Sequence, residues 1–364
     1  MAVTHAVQHR PGPRQVRQAI IDTDVHNELE PFENIHPFLD EHWLRHLRAY
    51  GLHGYSGSSY PRFINRRADA NPPSGGPAGS DCAFTSAQLL DEWNVSYAVL
   101  NPLTPAASQL DPELSAALCT AVNDWQVREW LDREPRMRAS IICPFEHSDL
   151  AVAEIERRAA DRRFVQVQFT GRPTEPMGRR KYWPIYEAAE HFGLKVMSHA
   201  FGAGGHPITG AGWPSFYLED HVGPAQSMQG NIISLVGEGV FERYPKLRVV
   251  SAENGFGWVP AMMWRMDGSY RLFKDEIPSL KRLPSEYVSE FCYFCTQPIE
   301  EPHRRRDLMT LFEQWPAAQD RLVFASDYAH WDWDSPGTAI PHQVPEDVRR
   351  KIFFDNAARL YGLE

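Results

Sequence analysis

Four stretches of the chain end in side chains able to grip a metal ion. Ile21-Asp22-Thr23-Asp24-Val25-His26 carries Asp24 and His26 two positions apart, a spacing that aims both side chains the same way on a strand. Met197-Ser198-His199, Ser251-Ala252-Glu253 and Ser326-Asp327 each close an apolar run with one further donor. His330 lies just past Asp327, and His221 falls in a helical-looking stretch, both in segments whose geometry the sequence does not fix. Imidazole and carboxylate together suit zinc, manganese or iron, whereas magnesium and calcium favour oxygen donors alone. Any one of these residues is equally at home as a cap, an ion-pair partner or a hydrogen-bonded histidine. Five of them, at the end of a separate predicted strand or two apart on one, favour a metal site over a purely structural account.

Positioning them requires a scaffold in which many strands end at one place. Eight segments read as buried strands: residues 19–26, 95–102, 138–144, 164–170, 194–199, 247–253, 287–296 and 321–327. Most are near-continuous apolar runs, the pattern of parallel strands covered on both faces. Helical spacing marks 86–93, 112–133, 150–162, 183–192 and 260–270, with Asp111-Pro112 as a start signal. Strand and helix alternate eight times, which predicts an α/β chain folded as a (β/α)8 TIM barrel. Residues 1–18 read as a tail and 19–364 as one metal-dependent domain. Long insertions over about 30–83 and 200–245 leave the C-terminal ends of strands 1 and 5, where such a barrel builds its site.

Composition narrows the partners. With 37 Lys and Arg against 47 Asp and Glu, the net charge is −10, which argues against sequence-independent nucleic-acid binding. No apolar run approaches the length of a membrane span. The first residues carry His5, His9, Arg10, Pro11 and Pro13 without an apolar stretch, so no signal peptide is expected. Five cysteines then read as reduced thiols of a cytoplasmic protein. A small-molecule substrate is the expectation, and apolar helices on the barrel exterior make a homodimer reasonable.

The layout of Asp24-Val25-His26, His199 and Asp327 in Phe324-Ala325-Ser326-Asp327-Tyr328 resembles the metal-ligand set of the amidohydrolase-like barrel superfamily. The closing Asn356-Ala357-Ala358-Arg359-Leu360-Tyr361-Gly362 is similar to the last helix of its second amidohydrolase group, which includes aromatic-acid decarboxylases. Three departures stand out against the decarboxylase pattern. Strand one has Asp-x-His where many relatives have His-x-His or Glu-x-His. Glu253 stands where they place a histidine thought to handle the proton. Strand four, Phe164-Val165-Gln166-Val167-Gln168, lacks the lysine that bridges two metals in dinuclear hydrolases.

Three carboxylates (Asp24, Glu253, Asp327) and up to four imidazoles (His26, His199, His221, His330) exceed the needs of one four-coordinate metal. Together with the motifs around Asp24, Glu253 and Asp327, that surplus resembles the branch containing the nonheme diiron monooxygenase of platensimycin and platencin biosynthesis. The resemblance implies two iron ions, dioxygen, an external electron donor and hydroxylation of a C–H bond in a hydrophobic, diterpenoid-type substrate, expected as a coenzyme A (acyl-CoA) thioester. In that scheme Glu253, Asp327 and His330 take catalytic roles, and Glu253 serves the second iron. The alternative implied by the same superfamily is a mononuclear zinc- or manganese-dependent decarboxylase or hydrolase in which Glu253 acts as acid or base.

Other signals carry less. Trp213, Phe216, Tyr217, Trp331 and Trp333 could wall a substrate, or simply pack loops onto the barrel. Arg62/Arg66/Arg67 and Arg179/Arg180/Lys181 read as solvated surface before phosphate sites. Cys292 and Cys295 lie three apart on a predicted strand, so they face opposite sides and cannot chelate one ion. Gly202-Ala203-Gly204-Gly205 lacks the spacing of a dinucleotide fingerprint.

Overall fold

The computed structural model describes residues 18–54, 66–200, 204 and 206–363. The expected tail therefore lies outside the described residues apart from Gln18, as does the 202–205 glycine cluster apart from Gly204. Eight apolar runs form parallel strands paired in sequence order: β1 (Ile20–Val25), β2 (Val95–Leu100), β3 (Met137–Ile142), β4 (Phe164–Thr170), β5 (Lys195–His199), β6 (Val249–Ala252), β7 (Cys292–Cys295) and β8 (Leu322–Val323). The last strand returns to the first. Thr23 N–H donates to Phe324 O at 3.0 Å, His26 N–H donates to Tyr328 O at 2.6 Å, and Val25 bridges Tyr328. The expected (β/α)8 barrel is the fold.

Local chemistry sets the connecting helices. Asp111 accepts from the N–H groups of Glu113 and Leu114 at 3.0 and 3.1 Å and, with Pro112 in the first turn, starts helix Pro112–Gln126. Helix Trp183–Phe192 stops at Gly193, whose φ of 73° a side-chain-bearing residue would resist. Apolar residues pack in two layers. The larger cluster joins helices to the outer strand faces. A smaller one gathers Ile21, Met197, Val250, Tyr293 and Val323 with Ala357, Leu360 and Leu363 of the C-terminal segment. Cys292 belongs to the larger cluster and Cys295 to the smaller, as their opposite-facing placement requires.

Two strands depart furthest from the sequence expectation. Within 287–296, Pro284–Phe291 is helix and only Cys292–Cys295 is strand. The reason is local: Pro284 opens the turn and the Glu286 carboxylate accepts from Leu283 N–H at 2.8 Å, which caps it. Within 321–327, only Leu322–Val323 stays in the ladder, because the following residues turn toward β1. The stretch after β5 divides into helices Tyr217–Val222, Pro224–Gly237 and Val240–Arg243. Among the described residues no helix is long and apolar enough to cross a membrane.

Candidate metal centre

The C-terminal ends of β1, β5, β6 and β8 converge. His26, Glu253, Asp327 and His330 offer ligand atoms within 4.8 Å of one another, and Asp24, His26 and His199 form a second group that shares His26. Register explains part of this: His199 pairs with Thr170 on one side and Ala252 on the other, so Glu253 emerges next to it. Backbone turns supply the rest. Glu253 and Asp327 have φ of 60° and 58°, a left-handed conformation that costs side-chain-bearing residues about 1–3 kcal/mol each. Glu253 directly follows β6 and Asp327 lies in the segment after β8, and both carboxylates lie within the cluster.

His26 Nδ1 lies 2.7 Å from the Asn101 backbone carbonyl, which can only accept, so Nδ1 carries a proton and Nε2 faces the centre. That Nε2 is 2.7 Å from Asp327 Oδ1 and 3.6 Å from Asp24 Oδ1. His199 Nε2 lies 3.2 Å from Glu253 Oε2 and 3.5 Å from Asp24 Oδ2. His330 Nδ1 is 2.7 Å from the same Asp327 Oδ1. The rings of His26 and His330 lie 4.2 Å apart, and those of His26 and His199 meet edge-on at 5.1 Å.

Asp24, Glu253 and Asp327 are all essentially buried. Three carboxylates at one place repel and lose their hydration unless positive charge offsets them. Burial pulls the His26 imidazole down, but the Asp24 charge and the Asp327 bond more than reverse this, pushing it up to about 9. Burial likewise raises Asp327, yet the charge on His330 and the bond from His26 hold it well below the usual carboxylate range. Asp24 is also held low, by His199 and His26 against burial. A divalent cation among these imidazoles and carboxylates meets the same demand, and the donor chemistry fits zinc or manganese.

His221 stands apart from both ligand groups. Its Nε2 is 2.8 Å from Asp332 Oδ2, and that bond is the main reason its imidazole is raised. Residues that sequence reasoning missed hold the others in place. Asn101, just past β2, donates from Nδ2 to Asp24 Oδ1 at 2.7 Å. Gln297, just past β7, donates from Nε2 to Asp327 Oδ2 at 3.1 Å and to Asp332 O at 3.2 Å. Glu300 accepts from Phe256 N–H at 2.7 Å and from Gly257 N–H, which anchors the turn carrying Glu253. A polar residue near the end of predicted strand 95–102 for Asn101, and one directly after 287–296 for Gln297, was the available signal.

The loop aromatics divide. Trp333 stacks on Trp93 at 5.2 Å, with the Arg67 guanidinium 3.7 Å over its ring, so it packs a loop onto the barrel. Trp331 Nε1–H donates to Tyr217 OH at 3.1 Å, while Trp213 and Phe216 are exposed. The basic clusters are held by acids: Arg66 pairs with Glu28 and Glu30, Arg67 with Asp69, Arg179 with Glu238 and Lys181 with Glu146. Arg62 lies outside the described residues.

A barrel with imidazoles and carboxylates gathered at its C-terminal mouth defines a class of enzymes built for metal-assisted chemistry. The chain belongs to the Amidohydrolase family, whose model matches residues 21–363. The gamma-resorcylate decarboxylase of Polaromonas sp. is 24% identical over 76% of this chain and 86% of its own length. That of Rhodococcus jostii is 25% identical over the same shares. A solved dihydroxybenzoic acid decarboxylase from Polaromonas sp., with bound manganese and the inhibitor 2-nitroresorcinol, superposes with a TM-score of 0.66. It is 19% identical and covers 95% of this chain and 97% of its own.

These relatives overturn the diiron monooxygenase expectation. They are decarboxylases, and nothing in them supports an iron pair, dioxygen, an electron donor or coenzyme A. The donor surplus behind that expectation has a simpler physical account. Asp24 Oδ1 is taken by Asn101, Asp327 Oδ2 by Gln297 and His221 by Asp332, so much of the apparent ligand capacity serves hydrogen bonds within the protein.

Proposed function

We propose that this chain is a mononuclear, manganese- or zinc-dependent decarboxylase of hydroxylated aromatic acids. The observation that carries this reading is the cluster of Asp24, His26, His199, Glu253, Asp327 and His330 at one barrel mouth, in a chain whose relatives include gamma-resorcylate decarboxylases. His26, His199 and Asp327, with Asp24, would hold the ion, which supplies a Lewis acid for a substrate carboxylate and an adjacent hydroxyl.

The rest of the chemistry falls to the chain's own residues. Glu253, buried beside His199, delivers a proton to the ring carbon that bears the carboxylate. The new C–H bond forms there, the C–C bond to the carboxylate breaks with its electron pair returning to the ring, and CO2 leaves. Glu253 regains its proton from water. His330 holds Asp327 through its Nδ1, keeping that carboxylate in place through the cycle.

The test is direct. Protein loaded with manganese or with zinc is expected to release CO2 from 2,6-dihydroxybenzoate or a related hydroxybenzoate, followed by chromatography of the phenol produced. Turnover of amides or esters with no CO2 from any hydroxybenzoate would replace this reading with a hydrolase.

A further inference from the structure

Beneath the candidate ligands, the barrel interior holds a buried row of amides and hydroxyls that neither the fold nor the proposed chemistry has used. Asn101 touches two candidate ligands at once. Its Nδ2 donates to Asp24 Oδ1 at 2.7 Å and to Thr23 O at 3.1 Å, while its backbone carbonyl accepts from His26 Nδ1 at 2.7 Å. An amide can be turned end for end, and only one orientation serves Asp24, because a carbonyl facing a carboxylate is repelled.

The orientation is set from below. Asn101 Oδ1 accepts from Gln166 Nε2 at 3.1 Å and from Ser140 Oγ, and Gln166 Nε2 also donates to Ser140 Oγ at 2.9 Å. Gln166 is fixed in turn, since its Oε1 accepts from Tyr361 OH at 2.7 Å. Tyr361 lies on helix Asn356–Tyr361, at the far end of the sequence from β1. Asn101, Ser140 and Gln166 are fully buried, so the bonds among them are made without competing water.

We propose that Tyr361, Gln166 and Asn101 form a one-directional hydrogen-bond relay by which the C-terminal helix positions Asp24 for metal binding. Every link runs donor to acceptor toward the centre: Tyr361 hydroxyl to Gln166 carbonyl, Gln166 amide to Asn101 carbonyl, Asn101 amide to Asp24 carboxylate. All three are positioning residues that act through Asp24. The relay rests on the metal-dependent reading above but not on the identity of the reaction.

Titration of metal-stripped protein with manganese against a fluorescent chelator tests it. Outer-shell partners of metal ligands are typically worth 10- to 100-fold in affinity. Asn101→Ala should weaken manganese by roughly that factor, and Tyr361→Phe, which deletes one hydrogen bond, by roughly 3- to 10-fold. The decisive readout is the double variant. Because Tyr361 acts through Asn101, Tyr361→Phe should have no further effect in the Asn101→Ala background. Gln166→Met, similar in length, should match or exceed Tyr361→Phe and serves should Asn101→Ala fail to fold. Unchanged manganese affinity in Tyr361→Phe and Gln166→Met, or additive losses in the double variant, overturns the relay. A protein that shows the coupled losses yet decarboxylates nothing supports the relay while sinking the decarboxylase reading.

Discussion

His26 Nε2 lies 2.7 Å from Asp327 Oδ1, although the two residues sit at opposite ends of the sequence. This contact spans the seam where β8 meets β1, so the same closure that completes the barrel also assembles the centre. Function and fold share this seam, and perturbing it should affect both.

Removing a ligand should therefore empty the site. Asp327→Ala is expected to lower bound manganese or zinc, measured by elemental analysis, from about one ion per chain to near none. Chelation should lower the melting temperature of the wild type by several degrees, since an ion at about 100 times its dissociation constant adds about 2.7 kcal/mol. The same chelation should leave the melting temperature of the variant unmoved.

His221 is expected to behave differently. Its Nε2 is engaged by Asp332 and it belongs to neither ligand group. His221→Ala should retain full metal content while changing KM, because the residue lies beside Trp331 on the loops above the barrel. Loss of the metal in this variant would make it a ligand.

Gln297 makes the charge-assisted bond to Asp327 Oδ2. Gln297→Met keeps the length of the side chain and removes the donor. A drop of roughly 10- to 100-fold in metal affinity is expected, with little change in helical content by circular dichroism. Equal affinity in variant and wild type would show that Asp327 holds its place without this bond.

Asp22 gives a pH dependence with a definite sign. Burial raises its carboxyl from 3.8 to about 7, even though it accepts from the N–H groups of Ser326 and Asp24. A folded-state pKa above the unfolded one means stability that is present in full below about pH 4 and lost as pH rises toward 7 and beyond. The loss is at most about 4 kcal/mol. In urea unfolding with chelator present, Asp22→Asn should remove this decline, so its advantage over the wild type should grow from pH 5 to pH 8. A constant difference between the two proteins across that range would assign Asp22 an ordinary pKa in the fold.

Much of the barrel was written in local pattern. Strand 164–170 and helix 183–192 have the bounds that apolar runs and spacing predict, and Asp111-Pro112 opens its helix as expected. Strand seven was not legible in the same way. Tyr287, Val288 and Phe291 are apolar enough for a strand, yet a proline start and the Glu286 cap commit them to a helix. The reading of chemistry followed the same division. Residue types at strand ends pointed to a metal, but counting donors pointed to two irons, because a sequence does not show which donors are already engaged.

By itself, the sequence determined the barrel and the chemical types of the donors, because strand periodicity and side-chain identity are local properties. The tertiary structure decided how those donors are used. The left-handed turns at Glu253 and Asp327, the amides of Asn101 and Gln297, and the pairing of His221 with Asp332 all depend on which strand ends become neighbours. Neighbourhood is fixed only when β8 closes onto β1, since a hydrogen bond between distant residues leaves no periodic trace in either segment.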